Sequence, residues 1–355
     1  RPFSSKAVAH TIKTYSKFTI PYPYPVAQSI EASNGMEYPM ICFNYGRTEK
    51  DGTYTEATKN GMLGVIIHEV GHNFFPMIVN SDERQWSWMD EGLNTYVEYL
   101  TEELYDNKFP SRRGPAFAIA DYMKLPKDQL EPIMTNSENI IQFGPNAYSK
   151  PGTGLNILRE TIMGRELFDY AFRTYSQRWM FKHPSPADFF RTMEDASAMD
   201  LDWFWRGWFY TTDYTDIGVK GVKQYYLTDQ PTEAAKKTAK RYNMDLATYK
   251  DKLVYYAEIE EGKKPENAKS VSDFKFLTDY IEELPEEEKA RLKDAPKYFY
   301  EVTFEKPGGL VMPIILEIAY EDGTKERKTF PAQIWRYNEK EVKKVFRTDK
   351  AITGF

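Results

Sequence analysis

The stretch Val65–Phe75, VIIHEVGHNFF, sets His68, Glu69 and His72 inside an otherwise apolar run. Flanking residues of this kind bury a helix face, and burial brings the three polar groups in with them. Residues four apart on a helix project from one face, one turn above the other. That spacing lets both imidazoles reach a single zinc ion at about 2.0–2.1 Å. Glu69 stands one step round, beside such an ion rather than on it, where its carboxylate can take a proton from water. The pattern is H-E-x-x-H, whose mechanical meaning is a zinc pair with a glutamate base. With three fixed positions it arises by chance in about one chain of this size in twenty or thirty. The apolar flanks disfavour the plain alternative, a solvated helix that happens to carry it. The helical pattern is expected from Glu56 to about Val79, with Met62, Leu63, Ile66, Ile67 and Val70 facing a core.

A catalytic zinc takes three protein ligands and keeps a fourth position open. Glu91 follows His72 after eighteen residues, at the first turn of a second helix expected to start near Asp90 with that aspartate as N-cap. The connection can return far enough. About ten extended residues reach some 30 Å, whereas seven helical residues beyond His72 advance about 10 Å. His68, His72 and Glu91 are therefore the candidate ligands of one zinc ion. Glu91, Thr95 and Glu98 share a helix face, and Glu98 reads either as a partner to a zinc histidine or as an exposed carboxylate. The remaining histidines, His10 and His183, lack ligand spacing and read as surface residues.

Composition narrows the class. The chain has 355 residues, 41% hydrophobic and 15% aromatic, which suits thick globular cores and argues against disorder. A net charge of −6 argues against a nucleic-acid surface. Apolar runs such as MLGVII and LVMPIIL are far shorter than the roughly 20 residues of a membrane span, so none is expected. Cys42 is the single cysteine, which rules out an intramolecular disulfide.

Periodicity suggests a mixed α/β architecture. SSKAVAHTIKTYSKFT reads as a serine-capped helix ended by PYPYP; VAQSIEAS and MICFNY read as strands interrupted at Gly35–Pro39. Residues 115–215 read as helices closing on DLDWFWRGWFYTTDY, taken as wall packing. Composition changes after Gly221, and residues 231–295, rich in Lys, Glu and Ala at helical spacing with breaks at Gly262, Pro265 and Pro285, read as solvated helices joining domains. From Tyr298 the period is two, through YFYEVTFE, an Asp-Gly turn, QIWRY and KVFRT. Three parts are expected: a catalytic domain over 1–220, a helical connector over 221–296, and an antiparallel, β-sandwich-like domain over 297–355 that ends in mid-pattern and reads as truncated.

HEVGH, eighteen residues, then Glu91 within WMDEG resembles the gluzincin aminopeptidases, the aminopeptidase N and leukotriene hydrolase family. That family carries Gly-x-Met-Glu-Asn on a strand upstream; here NGMEYP stands at residues 34–39, with Tyr38 where asparagine is usual. It also carries a tyrosine in a Tyr-x-Lys-Gly context; here YSKPG spans residues 148–152, with Pro151 before the glycine. The resemblance implies a thermolysin-like domain, a mixed sheet plus a helical lobe. It also implies one zinc ion and a peptide substrate with a free N-terminus. It implies Glu37, presented by Gly35 and Met36, as the anchor for the substrate amine, and Tyr148 as the donor that steadies a tetrahedral oxygen. The expected activity is release of N-terminal residues with Glu69 as general base. A zinc endopeptidase, an epoxide-hydrolysing relative or a non-catalytic scaffold of the same fold are the alternatives. Exported bacterial members of the family point toward the periplasm, with the cytoplasm left open.

Overall fold

The computed structural model describes residues 3–33, 35–46, 48–259, 267–293 and 298–355. Asn34 of the NGMEYP stretch and the expected breaks at Gly262 and Pro265 lie outside the described residues. The chain divides into two compact units, Arg1–Tyr214 and Thr215–Phe355.

The first unit starts with α1, Ser4–Phe18, in which Ala7 and Tyr15 are fully buried; Phe3 occupies the cap position and no serine side chain caps the helix. Three short strands follow: β1 (Gln28–Glu31), β2 (Met36–Tyr38) and β3 (Ile41–Asn44), in the order β1-β3-β2. β1 runs parallel to β3 and β2 antiparallel to it, with Glu37 opposite Cys42. The interruption expected at Gly35–Pro39 is thus itself an edge strand. Gly35, at φ +82°, makes the turn into it, a conformation glycine adopts without steric cost.

Helix α2, Glu56–Gly71, begins under a Thr55 cap whose hydroxyl accepts from the Thr58 N–H at 3.1 Å. It ends at Gly71, not near Val79. Pro76 has no N–H for the carbonyl four residues back and disfavours helix in the residue before it, so NFFPMIV turns instead. Leu63, Ile66 and Val70 of α2 share a buried cluster with Ala7 and Cys42. The next helix opens with a π-helical turn, Trp88–Gly92, and continues as α3, Leu93–Tyr105. Asp90 therefore lies inside this helix and is not its N-cap.

The rest of the unit is helical: α4 (Ala120–Met123), α5 (Lys150–Ile157), α6 (Arg165–Trp179), α7 (Pro186–Ser197) and α8 (Asp202–Tyr210). Phe204, Trp205, Trp208 and Phe209 of α8 are buried, with Trp205 and Phe209 against Phe190 of α7, the wall packing expected of that stretch.

In the second unit β4 (Gly218–Thr228) leads to α9 (Glu233–Arg241), β5 (Tyr255–Glu258), α10 (Lys275–Glu282) and α11 (Glu286–Lys293). Then come β6 (Tyr298–Glu305), β7 (Ile314–Tyr320), β8 (Lys325–Phe330), β9 (Glu341–Thr348) and β10 (Ile352–Gly354). One sheet has the order β5-β4-β6-β9 and the other β10-β7-β8. Residues 221–296 are consequently not a purely helical connector: β4 pairs with β6 over most of its length, and β4 and β5 belong to the sheet of the following strands. Val302 and Phe304 of one sheet and Leu316 and Ile318 of the other bury one shared core. QIWRY, read as strand, is instead a 3₁₀ turn, Ala332–Arg336, whose Trp335 enters that core. The Asp322–Gly323 turn joins β7 to β8 as the sequence indicates.

Candidate metal centre and active site

Two buried hydrogen bonds through Asn94 of α3 tie it to α1 and to α2. Tyr15 Oη donates to Asn94 Oδ1 at 2.7 Å, and Asn94 Nδ2 donates to the His68 carbonyl at 2.9 Å. Gly71 is the residue that lets these elements approach, because a Cβ there would collide with Tyr15 Oη and Asn94 Oδ1.

On this support His68 and His72 face α3 and its π-helical first turn. His72 Nε2 lies 3.0 Å from His68 Nε2; Glu91 Oε2 lies 3.0 Å from His68 Nε2 and 3.3 Å from His72 Nε2. Four ligands at zinc distances in a tetrahedron stand roughly 3.3 Å apart, so these three separations are of the right size. The other ring nitrogens are spoken for. His68 Nδ1 meets Glu98 Oε2 at 2.9 Å, and His72 Nδ1 meets the Phe75 carbonyl and Asp90 Oδ1, both at 2.8 Å. These acceptors place the N–H on Nδ1 of each ring and turn both Nε2 lone pairs toward Glu91. Two lone pairs and a carboxylate oxygen this close repel unless a cation lies among them. The donor set therefore fits a divalent ion of borderline softness.

The electrostatics agree. Burial alone would lower the His68 pKa, but Glu98 and Glu91 more than reverse this and push it up to about 9. His72 is likewise raised against its burial by Asp90 and Glu91. Burial would raise Glu91, and the adjoining His68 and His72, when they carry positive charge, instead hold it well below the usual carboxylate range. The pocket demands positive charge.

A cavity of about 460 Å³ opens on this centre, lined among others by Gly35, Glu37, Glu69 and Tyr148. Glu69 is buried, and burial pushes its carboxyl up to about 7 against the opposing pull of His68 and His72. Glu37 is half-buried and also raised, first by burial; its oxygen, one of Glu69 and a nitrogen of His72 lie within 4.8 Å of one another. Met36 is exposed and lies outside the cavity wall. Tyr148 sits on a second π-helical turn, Gly144–Ser149. Its ring stacks on His68 at 5.6 Å between centroids and its Oη donates to Glu91 Oε1 at 2.6 Å. Both residues that close the centre from the helical side thus stand on π-helical turns, which displace side chains from the α-helical register.

Several participants were not legible beforehand. Asp90 reads as a cap but contacts His72; Arg112, Arg113 and Glu102 line the far wall of the cavity without any motif to mark them. His183 is exposed, as expected, whereas His10 is half-buried and bonds through Nε2 to the Thr101 carbonyl at 3.0 Å. No described helix is long and apolar enough to cross a membrane.

Comparison with known proteins bears on this centre. Aminopeptidase M1-A of Oryza sativa subsp. japonica is 22% identical over 233 residues, 61% of this chain and 26% of its own length. Probable aminopeptidase 1 of Sulfurisphaera tokodaii is 26% identical over 235 residues, 61% of this chain and 29% of its own. The chain spans under a third of the length of these curated relatives. A crystal structure of Legionella pneumophila aminopeptidase A in complex with aspartic acid aligns with 99% of this chain and 33% of that one, with TM-score 0.53 at 12% identity, a likeness of fold. Residues 3–208 match the Peptidase family M1 domain, and the chain belongs to peptidase family M1.

Proposed function

We propose that the first unit is a thermolysin-like catalytic domain that hydrolyses N-terminal residues from peptides with the help of one zinc ion. The observation that carries this reading is the convergence of His68, His72 and Glu91 on one point, with Glu69 and Glu37 beside it in a single cavity.

His68, His72 and Glu91 would hold the ion, with Glu98, Asp90 and the Phe75 carbonyl orienting the two rings. A zinc ion bound in such a site lowers the pKa of water and polarises a carbonyl. The chain's own groups account for the remaining work. Glu69, buried beside the centre, accepts a proton from the attacking water and returns it to the departing amine. Tyr148 stays protonated, because burial and the adjacent Glu91 both oppose its ionisation, so its single proton turns from Glu91 Oε1 toward the oxygen that gains charge. Glu37 offers a carboxylate to the substrate ammonium, and that partial burial strengthens the pairing over one in open water.

The ammonium requirement distinguishes an aminopeptidase from an endopeptidase with the same centre. Zinc-loaded protein should release product from an alanyl anilide and leave the N-acetyl analogue intact. Equal cleavage of the two would replace the exopeptidase reading with the endopeptidase one.

A further inference from the structure

Arg112 and Arg113, on the segment after α3, take no part in the reading above. Both line the cavity. The Arg113 guanidinium carbon lies 4.2 Å from the centroid of the Tyr148 ring, a stacked cation–π position. Among the described residues neither arginine makes a hydrogen bond or ion pair to a carboxylate or carbonyl, and Arg113 only feels the charge of Glu102 at longer range, whereas buried Arg159 is clamped by Asp169 and Glu160. An arginine carries five N–H donors in a fork that matches a carboxylate in two-point fashion. Stacking on Tyr148 holds the Arg113 fork in place without spending those donors.

The acids on the same wall are committed elsewhere. Glu98 gives an oxygen to His68 Nδ1. Glu102 is buried with Oε1 close behind Gly64; burial, then Glu98, draws its carboxyl toward the protonated form against the pull of Ser111, His68 and Arg113, which leaves little negative charge there to hold the guanidinium.

The order of groups along the cavity gives the free donors a place on the substrate. Glu37 clusters with Glu69 and His72. Arg113 is no member of that cluster: it stacks on Tyr148, whose ring covers His68. A peptide with its ammonium at Glu37 and its first carbonyl at the three-ligand centre runs its remaining residues toward the arginines.

We infer that Arg112 and Arg113 form a carboxylate-binding subsite on the leaving side of the scissile bond. This rests on the aminopeptidase reading and deepens it. The ligand is a carboxylate just beyond the cleaved bond, either the C-terminus of a very short peptide or an acidic side chain at its second residue.

The test compares kcat/KM of the zinc-loaded full chain for Ala-Ala against Ala-Ala-amide, and for Ala-Glu-amide against Ala-Gln-amide. At least one carboxylate form should be preferred by about tenfold or more, mostly through KM. The first pair identifies the C-terminus as the source and the second the side chain. Arg113→Gln should abolish the preference, and Arg113→Lys should retain part of it. An Arg113 that only stacks on Tyr148 would lower kcat for both members of a pair alike and leave their ratio unchanged, which overturns the proposal. Cleavage of the alanyl anilide without carboxylate preference in either pair also overturns it and leaves the aminopeptidase reading standing. Failure to cleave the anilide overturns both.

Discussion

Tyr148 donates its phenol proton to Glu91 Oε1 at 2.6 Å, while the other oxygen of that carboxylate, Oε2, faces both imidazole Nε2 atoms. One carboxylate therefore ties the candidate metal centre to the candidate oxygen-stabilising donor. Glu91 holds Tyr148 and also offers an oxygen to the candidate metal centre, and two π-helical turns from distant parts of the chain bring the two residues together.

Removing the phenol oxygen should leave the centre assembled and weaken the chemical step. Tyr148→Phe is expected to lower kcat by about 10²–10³ with KM little changed. Steady-state kinetics check this, and a near-normal kcat would reassign Tyr148 to packing against His68.

Glu69 is expected to act on protons and not on the metal. Glu69→Gln should abolish turnover while one zinc per chain remains by elemental analysis. Loss of metal together with activity would contradict the base role.

The acceptors behind the histidines should tune affinity. Glu98→Gln removes the charged acceptor of the His68 Nδ1–H and Asp90→Asn removes the charge beside His72 Nδ1, and each should weaken zinc binding by about 10–100-fold. Competition against a chromophoric chelator measures this. Unchanged affinity in both variants would make these contacts incidental.

Gly71 should tolerate no side chain. Gly71→Ala drives a methyl into Tyr15 Oη and Asn94 Oδ1, and is expected to cost about 1–3 kcal/mol. A Cβ at Gly144 meets nothing within 4 Å, so Gly144→Ala should stay within about 0.5 kcal/mol of the parent. Denaturant titration compares them; equal stabilities would mean that α2 and α3 are not locked through this contact.

Lys150 gives a pH dependence of known sign. It is buried, its Nζ donates to the Thr211 carbonyl at 3.0 Å, and burial lowers its pKa to about 8 despite the pull of Asp213. The folded-state pKa lies below the unfolded value near 10.5. Between these values the unfolded chain binds more protons, so this group makes stability rise with pH from about 8 to about 10.5. Unfolding free energies at pH 7.5 and 9.5 should therefore rise more in the parent than in Lys150→Met. Parallel pH curves would show that the ammonium is not strained by burial.

What the sequence made legible follows from which interactions are local. The His68–Glu69–His72 face needs only helical period, and Glu91 needs only chain reach, so both are readable from spacing. The end of α2 was misplaced because NFFPMIV is apolar enough to continue a helix; Pro76 and a turn decide otherwise. Asp90 looked like a cap because caps are the commonest use of an aspartate before a helical pattern, and the π-helical turn that carries it to His72 leaves no composition signal. β4 was missed because Gly221 and the Lys- and Glu-rich stretch after it suggested a boundary, whereas its partner β6 lies some 80 residues on. The arginines behind Tyr148 depend on tertiary packing of a loop, which no local pattern encodes.

Everything proposed for the site requires that His68, His72 and Glu91 share one zinc ion and leave a position open. Diffraction from zinc-loaded crystals at the zinc absorption edge tests it directly. A single anomalous peak is expected about 2.0–2.2 Å from His68 Nε2, His72 Nε2 and Glu91 Oε2, with no fourth protein ligand. No peak there, or a fourth side chain on the ion, would contradict it.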